Sequence, residues 1–254
     1  ALLPLALLAA CLLFAAVLYV GTGAVYGRVS ASLRDPAVLQ DAAANLSDNS
    51  EVFDRTGRVL LATYGSDRRS LIDTFEEIPV AAIDATTAVE DKTFWTNAGF
   101  DPLGFVSAAL DTLAGSGRGG STITQQYAKN AFLTQERSFS RKAKELILSV
   151  KLETSVSKDQ ILEDYLNTIY FGRGAYGVQA AAERYFDRPV SDLRLAGSAL
   201  LAGIIQAPEA LNPIRYPDRA RSRRREVLDA MVAQGKITRA EARVADRSEE
   251  HTSE

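Results

Sequence analysis

The chain has 254 residues, with 29 Lys and Arg against 32 Asp and Glu and a formal net charge of −3. That length holds one substantial domain with attachments, and the near-neutral balance excludes the strongly basic surface of a nucleic-acid binder. A single cysteine, Cys11, and a single histidine, His251, close to the C-terminal end, exclude an intrachain disulfide, a cysteine-based zinc site and a Ser-His-Asp relay, so acid-base chemistry falls to carboxylates.

Residues Ala1 to Val20 read ALLPLALLAACLLFAAVLYV, uncharged and close to the ~20 apolar residues that span a bilayer. We read residues 1–26 as a transmembrane anchor, since a signal-peptide core is shorter, and the small, polar residues 27–49 as a tether. A domain is expected over residues 50–235. It opens with EVFDRTGRVLLATY, Glu51 to Tyr64, two β-prone runs around Asp54-Arg-Thr-Gly57 that predict a hairpin and carry the one clear strand signal.

Beyond Pro79, apolar residues recur at helical spacing in Val80 to Val89, Phe105 to Leu113, Ile123 to Phe132, Arg141 to Leu152 and Gln160 to Tyr170. Ser157 before Lys-Asp-Gln marks a helix start, and Gly172, Gly174 and Gly177 mark a turn. Leu193 to Ile205 predicts a buried helix with an irregular exit at Pro208, Pro213 and Pro217. A last amphipathic helix is expected from about Ala220 to Val232, broken by Gly235. Residues 236–246 read as the start of a linker. Residues 247–254, RSEEHTSE, look like the translation of a sequencing adapter and are set outside the fold. Together with the missing initial Met, they suggest an incomplete reading frame.

Four segments stand out. They are Glu90-Asp-Lys-Thr-Phe-Trp-Thr-Asn-Ala-Gly-Phe-Asp101, Gly119-Gly-Ser-Thr-Ile-Thr-Gln-Gln-Tyr-Ala-Lys-Asn130, Arg141-Lys-Ala-Lys-Glu145, and Ile161-Leu-Glu-Asp-Tyr-Leu-Asn167 with Tyr170-Phe-Gly172 and Ala180 to Phe186. A weaker fifth covers Leu193 to Pro213. In order and spacing the set resembles the glycosyltransferase domain of class A penicillin-binding proteins and their monofunctional relatives, family 51, whose patterns are E-D-x-x-F-x-x-H-x-G-x-D, G-G-S-T-I-T-Q-Q-x-x-K-N and R-K-x-x-E. The resemblance implies a mainly α, lysozyme-like glycosyltransferase domain with a small β-hairpin, preceded by one transmembrane helix and cut short before a transpeptidase domain. Two positions depart from the pattern: Asn97 stands where the family usually has His, and Gly197 where it has Glu.

The resemblance implies an inverting transfer that polymerises lipid II into β-1,4 glycan strands and releases polyprenyl pyrophosphate. Such a reaction needs a base for the attacking hydroxyl and cations or backbone donors for the departing anion. Glu90 closes the apolar run AAIDATTAVE, where partial burial would raise its pKa toward useful basicity; its plainer reading is a helix-terminal surface acid. Lys129, Arg137 and Arg141 supply positive charge, with Lys129 four residues after Gln125 and so on one helical face with it. Glu145 matches the family's second carboxylate; its plainer reading is an ion pair with Arg141. Glu90 and Glu145 are therefore the expected catalytic residues, and Asp91, Ser121, Thr122, Gln125, Gln126, Lys129, Asn130, Arg137 and Arg141 the expected substrate-binding ones. Gly119-Gly-Ser-Thr also reads as an ordinary helix start capped by Ser or Thr, and Asp91, Phe94, Gly99 and Asp101 as the scaffold of the first loop. Asn167, Tyr170 and the glycine turn read as structural.

Mg2+ or another divalent cation is admitted at Glu145, and no organic cofactor is implied. Expected partners are lipid II, the lipid-linked glycan chain, the membrane and other cell-wall synthesis or division proteins, with no nucleic acid. The expected location is the cytoplasmic membrane, single-pass, with the catalytic domain on the extracytoplasmic side. The competing readings are a lysozyme-like glycan hydrolase and an inactive wall-synthesis scaffold. Ser155-Val-Ser-Lys158 has the spacing of an acyl-enzyme serine, but no S-x-N or K-T-G partner follows, and Ser157 reads as a helix cap.

Overall fold

Two β-prone runs open the part of the chain that the computed structural model describes, which comprises residues 50–53, 60–64, 68–102, 104, 120–133 and 139–248. β1 (Ser50–Phe53) pairs antiparallel with β2 (Leu60–Tyr64), Ser50 opposite Tyr64, with a register slip between Val52 and Phe53. This is the expected hairpin. A second pair was not foreseen: β3 (Arg68–Arg69) lies parallel to β4 (Ala175–Tyr176), two residues each and too short to leave an alternating pattern.

The rest is helical, as expected. The helices are α1 (Val80–Glu90), α2 (Ile123–Phe132), α3 (Phe139–Ser155), α4 (Lys158–Thr168), α5 (Val178–Phe186), α6 (Leu195–Ile204), α7 (Pro217–Ala233) and α8 (Arg239–Arg247), with 3-10 turns at Phe75–Glu77 and Val190–Asp192. Local chemistry sets several boundaries. Ser157 accepts from the Gln160 N–H to start α4, and Pro217 stands in the first turn of α7, where its missing N–H costs nothing. The expected helix Phe105 to Leu113, the anchor over residues 1–26 and the tether over residues 27–49 lie outside the described residues. No described helix is long and apolar enough to cross a membrane.

Most of residues 236–246, expected as the start of a linker, are helical: Thr238 caps α8, which begins at Arg239. Thr238 and Glu241 form a reciprocal capping box, Ala242 and Ala245 are buried with residues of α7, and Arg224 of α7 donates to the Asp246 carbonyl at 2.7 Å. Its buried face carries Ala242 and Ala245, three residues apart among charged positions. The helix runs to Arg247, the first residue set aside as adapter-like; residues 249–254 lie outside the described residues.

Two apolar clusters hold the helices together. One gathers Phe94, Tyr127, Leu148, Leu152, Ile161, Tyr165, Phe171 and Tyr185 around α2, α4 and α5. The other joins Ala85 and Ala88 of α1 to Ala196, Ala199 and Ala202 of α6, Val227, Leu228 and Met231 of α7, and α8. Helices α1 and α6 feed both, through Ala82 and through Leu200, Leu201 and Ile204. A helix buried on several faces cannot be strongly amphipathic, which accounts for VAAIDATTAVE and LAGSALLAGI. Gly197 is buried within α6. At Gly203 a Cβ would lie 3.1 Å from Arg223 Cγ and 3.4 Å from Val227 Cγ2, so α6 and α7 approach closely there.

Candidate active site

Helix α1 ends at Glu90 because Asp91 turns out of helical geometry, with φ −157°. Neighbouring elements fix that end. Gln234 donates to the Ala88 carbonyl at 2.9 Å and Lys236 pairs with Asp84 at 2.7 Å, while the buried Thr87 hydroxyl donates to the Ile83 carbonyl within its own helix. The two adjacent acids then face different ways. Asp91 is buried, accepting from the Thr93 N–H and hydroxyl, from the Asn97 amide at 3.0 and 3.1 Å, and from the Ile123 N–H at 3.1 Å. Since Ile123 opens α2, a carboxylate sits where that helix presents unpaired N–H groups and the positive end of its dipole.

The loop after Asp91 is packed tightly onto α3. Gly99 has φ +83°, and a Cβ there would fall 2.8 Å from the Ser149 carbonyl oxygen, so only glycine fits. Its own carbonyl accepts the Thr122 hydroxyl at 2.9 Å. Thr122 is the N-cap of α2, accepting from the Gln125 N–H while the Gln125 side chain takes the Thr122 N–H in return. That capping box satisfies two otherwise unpaired donors and turns Gln125 back into the protein, where it is 3 % exposed.

Gln126, the next residue, faces the other way. Its amide nitrogen donates to Glu90 Oε2 at 2.8 Å, and its carbonyl oxygen accepts from the buried Tyr165 hydroxyl of α4 at 3.2 Å. Lys129 follows three residues later on the same side of α2. On α3, Glu145 is 2 % exposed, with one oxygen bound by Arg141 and the other by Lys142 at 2.9 Å. Lys142 also donates to Ser121 at 2.8 Å. A line of polar groups therefore runs from Glu90 through Gln126 and Lys129 to the Glu145 cluster.

Electrostatics tie the two ends of that line together. Burial raises the Glu90 pKa; the Gln126 hydrogen bond, Arg223 and Lys129 oppose the rise, and Asp91 adds to it. Burial lowers the Lys129 pKa; Glu145 and Glu90 oppose the fall, while Arg141 and Lys142 deepen it. A carboxylate moved toward neutrality beside a cation that forms no ion pair among the described residues is a pairing suited to proton abstraction and anion stabilisation. Asp91 is also raised by burial, against its own hydrogen bonds.

A family model described as transglycosylase matches residues 57–232, most of the chain and the whole line of groups from Glu90 to the Glu145 cluster. The chain belongs to the transglycosylase family. This transglycosylase chain is 47% identical over 192 residues to penicillin-binding protein 1A of Aquifex aeolicus, covering 74% of this chain and 26% of that protein. It is 49% identical over 172 residues to penicillin-binding protein 1A of Mycolicibacterium smegmatis, covering 65% and 22%. The chain thus spans about a quarter of the length of these relatives. Among solved structures, penicillin-binding protein 1A from Haemophilus influenzae matches with a TM-score of 0.49 and 23% identity, covering 82% of this chain and 22% of that one.

Of the residues expected from sequence, this transglycosylase domain gathers Glu90, Gln126, Lys129, Arg141 and Glu145, with Ser121 joined through Lys142. The expected pairing of Gln125 with Lys129 is corrected: Gln125 and Thr122 are taken up in the capping box, and Gln126 shares the site with Lys129. The physical reason is that the third helical position reaches back to the cap, which spends the Gln125 side chain on the backbone. Asp91 has its oxygens engaged by Thr93, Asn97 and Ile123, inside the protein. Asn97 donates to Asp91 through its amide, a task that needs no titrating group. Asn130 is half-buried, and its side chain makes no hydrogen bond with a described residue. Arg137 lies outside the described residues.

Sequence reading passed over Lys142, Tyr165 and Arg223. Lys142 sits beside Arg141 inside R-K-x-x-E and was open to notice at helical spacing from Glu145. Arg223 comes from α7 and is, among charged groups, the first that steadies the Glu90 carboxylate; nothing local in the sequence joins it to Glu90. The divalent cation admitted at Glu145 does not fit the groups present. Both carboxylate oxygens are held by cations, and no group of three His, Cys, Asp or Glu among the described residues is placed to hold a metal.

Proposed function

We propose that this chain is a peptidoglycan glycosyltransferase that polymerises lipid II into β-1,4 glycan strands, with inversion and release of polyprenyl pyrophosphate. One observation carries the reading: a Glu90 carboxylate with raised pKa, held by Gln126, stands within electrostatic range of Lys129, which is flanked by Arg141, Lys142 and Glu145. Glu90 takes the proton from the acceptor sugar's 4-hydroxyl as that oxygen attacks C1 of the donor's terminal sugar. The C1–O bond to the lipid pyrophosphate breaks from the opposite face. Lys129 and Arg141, together with Arg137 from the sequence pattern, meet the charge that develops on the departing diphosphate. Glu145 acts by holding Arg141 and Lys142 in place.

The cations favour transfer over hydrolysis. A glycan hydrolase protonates an alcohol leaving group with a carboxylic acid and gains nothing from Lys129 beside Arg141 and Lys142, whereas a departing diphosphate does. An apolar segment at residues 1–20, acting as a single-pass anchor, would keep the domain on the outer face of the cytoplasmic membrane. There both lipid-linked substrates reside, and other wall-synthesis proteins could join it.

The test is polymerisation of lipid II by the full-length, membrane-anchored protein and by Glu90→Gln. The parent lengthens glycan strands; the variant loses about 10²-fold or more of the rate, the lower end of general-base catalysis. Equal output from both removes Glu90 from the base role. Shortening of preformed strands by the parent identifies a hydrolase instead, and an inert parent points to a scaffold.

A further inference from the structure

We propose that Tyr165 is a positioning residue for the general base: its buried hydroxyl orients the Gln126 amide so that the amide nitrogen, and not the oxygen, faces Glu90. The inference rests on the reading of Glu90 as base. Tyr165 is 0 % exposed and donates to Gln126 Oε1, while Gln126 Nε2 donates to Glu90 Oε2. No hydrogen bond from a described residue reaches Glu90 Oε1, so one carboxylate oxygen is held and the other is left to the acceptor.

The polarity of this chain of bonds follows from what each group can do. An ionised carboxylate only accepts, a tyrosine hydroxyl donates or accepts, and a carboxamide carries one end of each kind. While Glu90 is ionised, Gln126 must present its NH2 to it, and the carbonyl then needs a donor behind it. Tyr165 is that donor. Burial, and then the charges of Glu90 and Asp91, push its pKa well above the ordinary phenol value, so the proton stays on the hydroxyl. Once Glu90 has taken the acceptor's proton on Oε1, Oε2 remains an acceptor for the Gln126 NH2, so the bonds from Tyr165 through Gln126 to Glu90 keep their direction in both protonation states.

Four neighbours face Glu90 besides Gln126: Asp91 beside it, Lys129 on α2, Tyr165 on α4 and Arg223 on α7. Tyr165→Phe keeps the ring and changes none of the charges. It strands the Gln126 oxygen and loosens the donation that holds the ionised carboxylate. The Gln126 bond lowers the Glu90 pKa, so its loosening moves the acidic limb of the kcat/KM profile to higher pH. Below a base's pKa the active fraction falls about tenfold per pH unit, so activity at acid pH reads the shift directly.

The experiment measures pH profiles of lipid II polymerisation for the full-length parent, Tyr165→Phe, Gln126→Ala and the double variant, with Glu90→Gln alongside. The proposal expects the limb to rise in Tyr165→Phe and in Gln126→Ala, with little further change on combining them, because the tyrosine acts through the amide. An unmoved limb in Tyr165→Phe, or effects that multiply in the double variant, overturns it. Should Tyr165→Phe not fold, Gln126→Ala carries the decision, and an unmoved limb there is equally fatal. Activity retained in Glu90→Gln would instead strike the base assignment, so the two failures are told apart.

Discussion

Replacing Thr122 by Val separates a scaffold from a substrate contact, because the new side chain keeps the shape and removes only the hydroxyl. That hydroxyl accepts the Gln125 N–H at 3.2 Å and donates to the Gly99 carbonyl at 2.9 Å, in a residue 3 % exposed. Losing an N-cap costs about 0.5–2 kcal/mol, and leaving a buried carbonyl unpaired costs about 1–3 kcal/mol. No charge is buried or released, so nothing opposes these losses, and about 2–4 kcal/mol is expected. For a domain of this size each kcal/mol moves Tm by about 2–4 °C, which gives a fall of roughly 5–15 °C. Thr122→Ser keeps both bonds and loses one methyl, about 0.8 kcal/mol, and should melt close to the parent. Thermal unfolding of the three proteins followed by circular dichroism, with lipid II polymerisation measured below the lowest Tm, decides the matter. A Thr122→Val protein that melts with the parent yet fails to polymerise would show that the hydroxyl binds substrate and that the capping role is wrong.

Other outcomes follow from the same geometry. Gly99→Ala forces a side chain into left-handed backbone and against the Ser149 carbonyl 2.8 Å away; about 2–5 kcal/mol should be lost, seen as a lower urea midpoint at unchanged slope. Glu145→Gln removes the charge that most supports the Lys129 cation, so the Lys129 pKa falls further, the cation is lost at lower pH, and the alkaline limb of the activity profile moves down. A limb that stays or rises refutes that coupling. Glu90 binds its proton more tightly folded than unfolded, so its contribution to stability is greatest at acid pH and declines as pH rises through the folded pKa. Glu90→Gln should therefore melt above the parent at pH 7, with the gap closing as pH falls toward the unfolded glutamate pKa of about 4.3. A variant less stable than the parent at pH 7 would show that burial does not dominate there.

The helices that carry the site were legible in the sequence because their causes are local. Apolar spacing placed Val80–Glu90 and Ile123–Phe132 within a residue or two, and Ser157 announced its helix as a cap. The positions of Glu90, Gln126, Lys129, Arg141 and Glu145 came from the resemblance of their motifs to the glycosyltransferase family, and base and cation chemistry accounts for their types. Even the ion pair of Glu145 with Arg141 follows from helical spacing. α8 was missed although its T-x-x-E cap and its alanines stand at helical spacing among charges, because Gly235 was read as the end of the domain.

The division of labour between neighbouring residues was decided elsewhere. Gln125 and Gln126 are chemically identical, yet successive helix positions point about 100° apart, and the cap at Thr122 claimed the first for the backbone and left the second for Glu90. Glu90 and Asp91 are likewise adjacent acids, given different partners only where α1 stops against the start of α2: Gln126 for the first, and Thr93, Asn97 and Ile123 for the second. Tyr165 of α4 touches the Glu90 carboxylate only through Gln126, and Arg223 acts on it from α7, where small residues at Ala85, Ala88, Ala199 and Gly203 let α1, α6 and α7 close on one another. Composition and spacing determine which groups are available; whether a carboxylate is solvated, paired or desolvated depends on what packs around it, and that is a property of the assembled core.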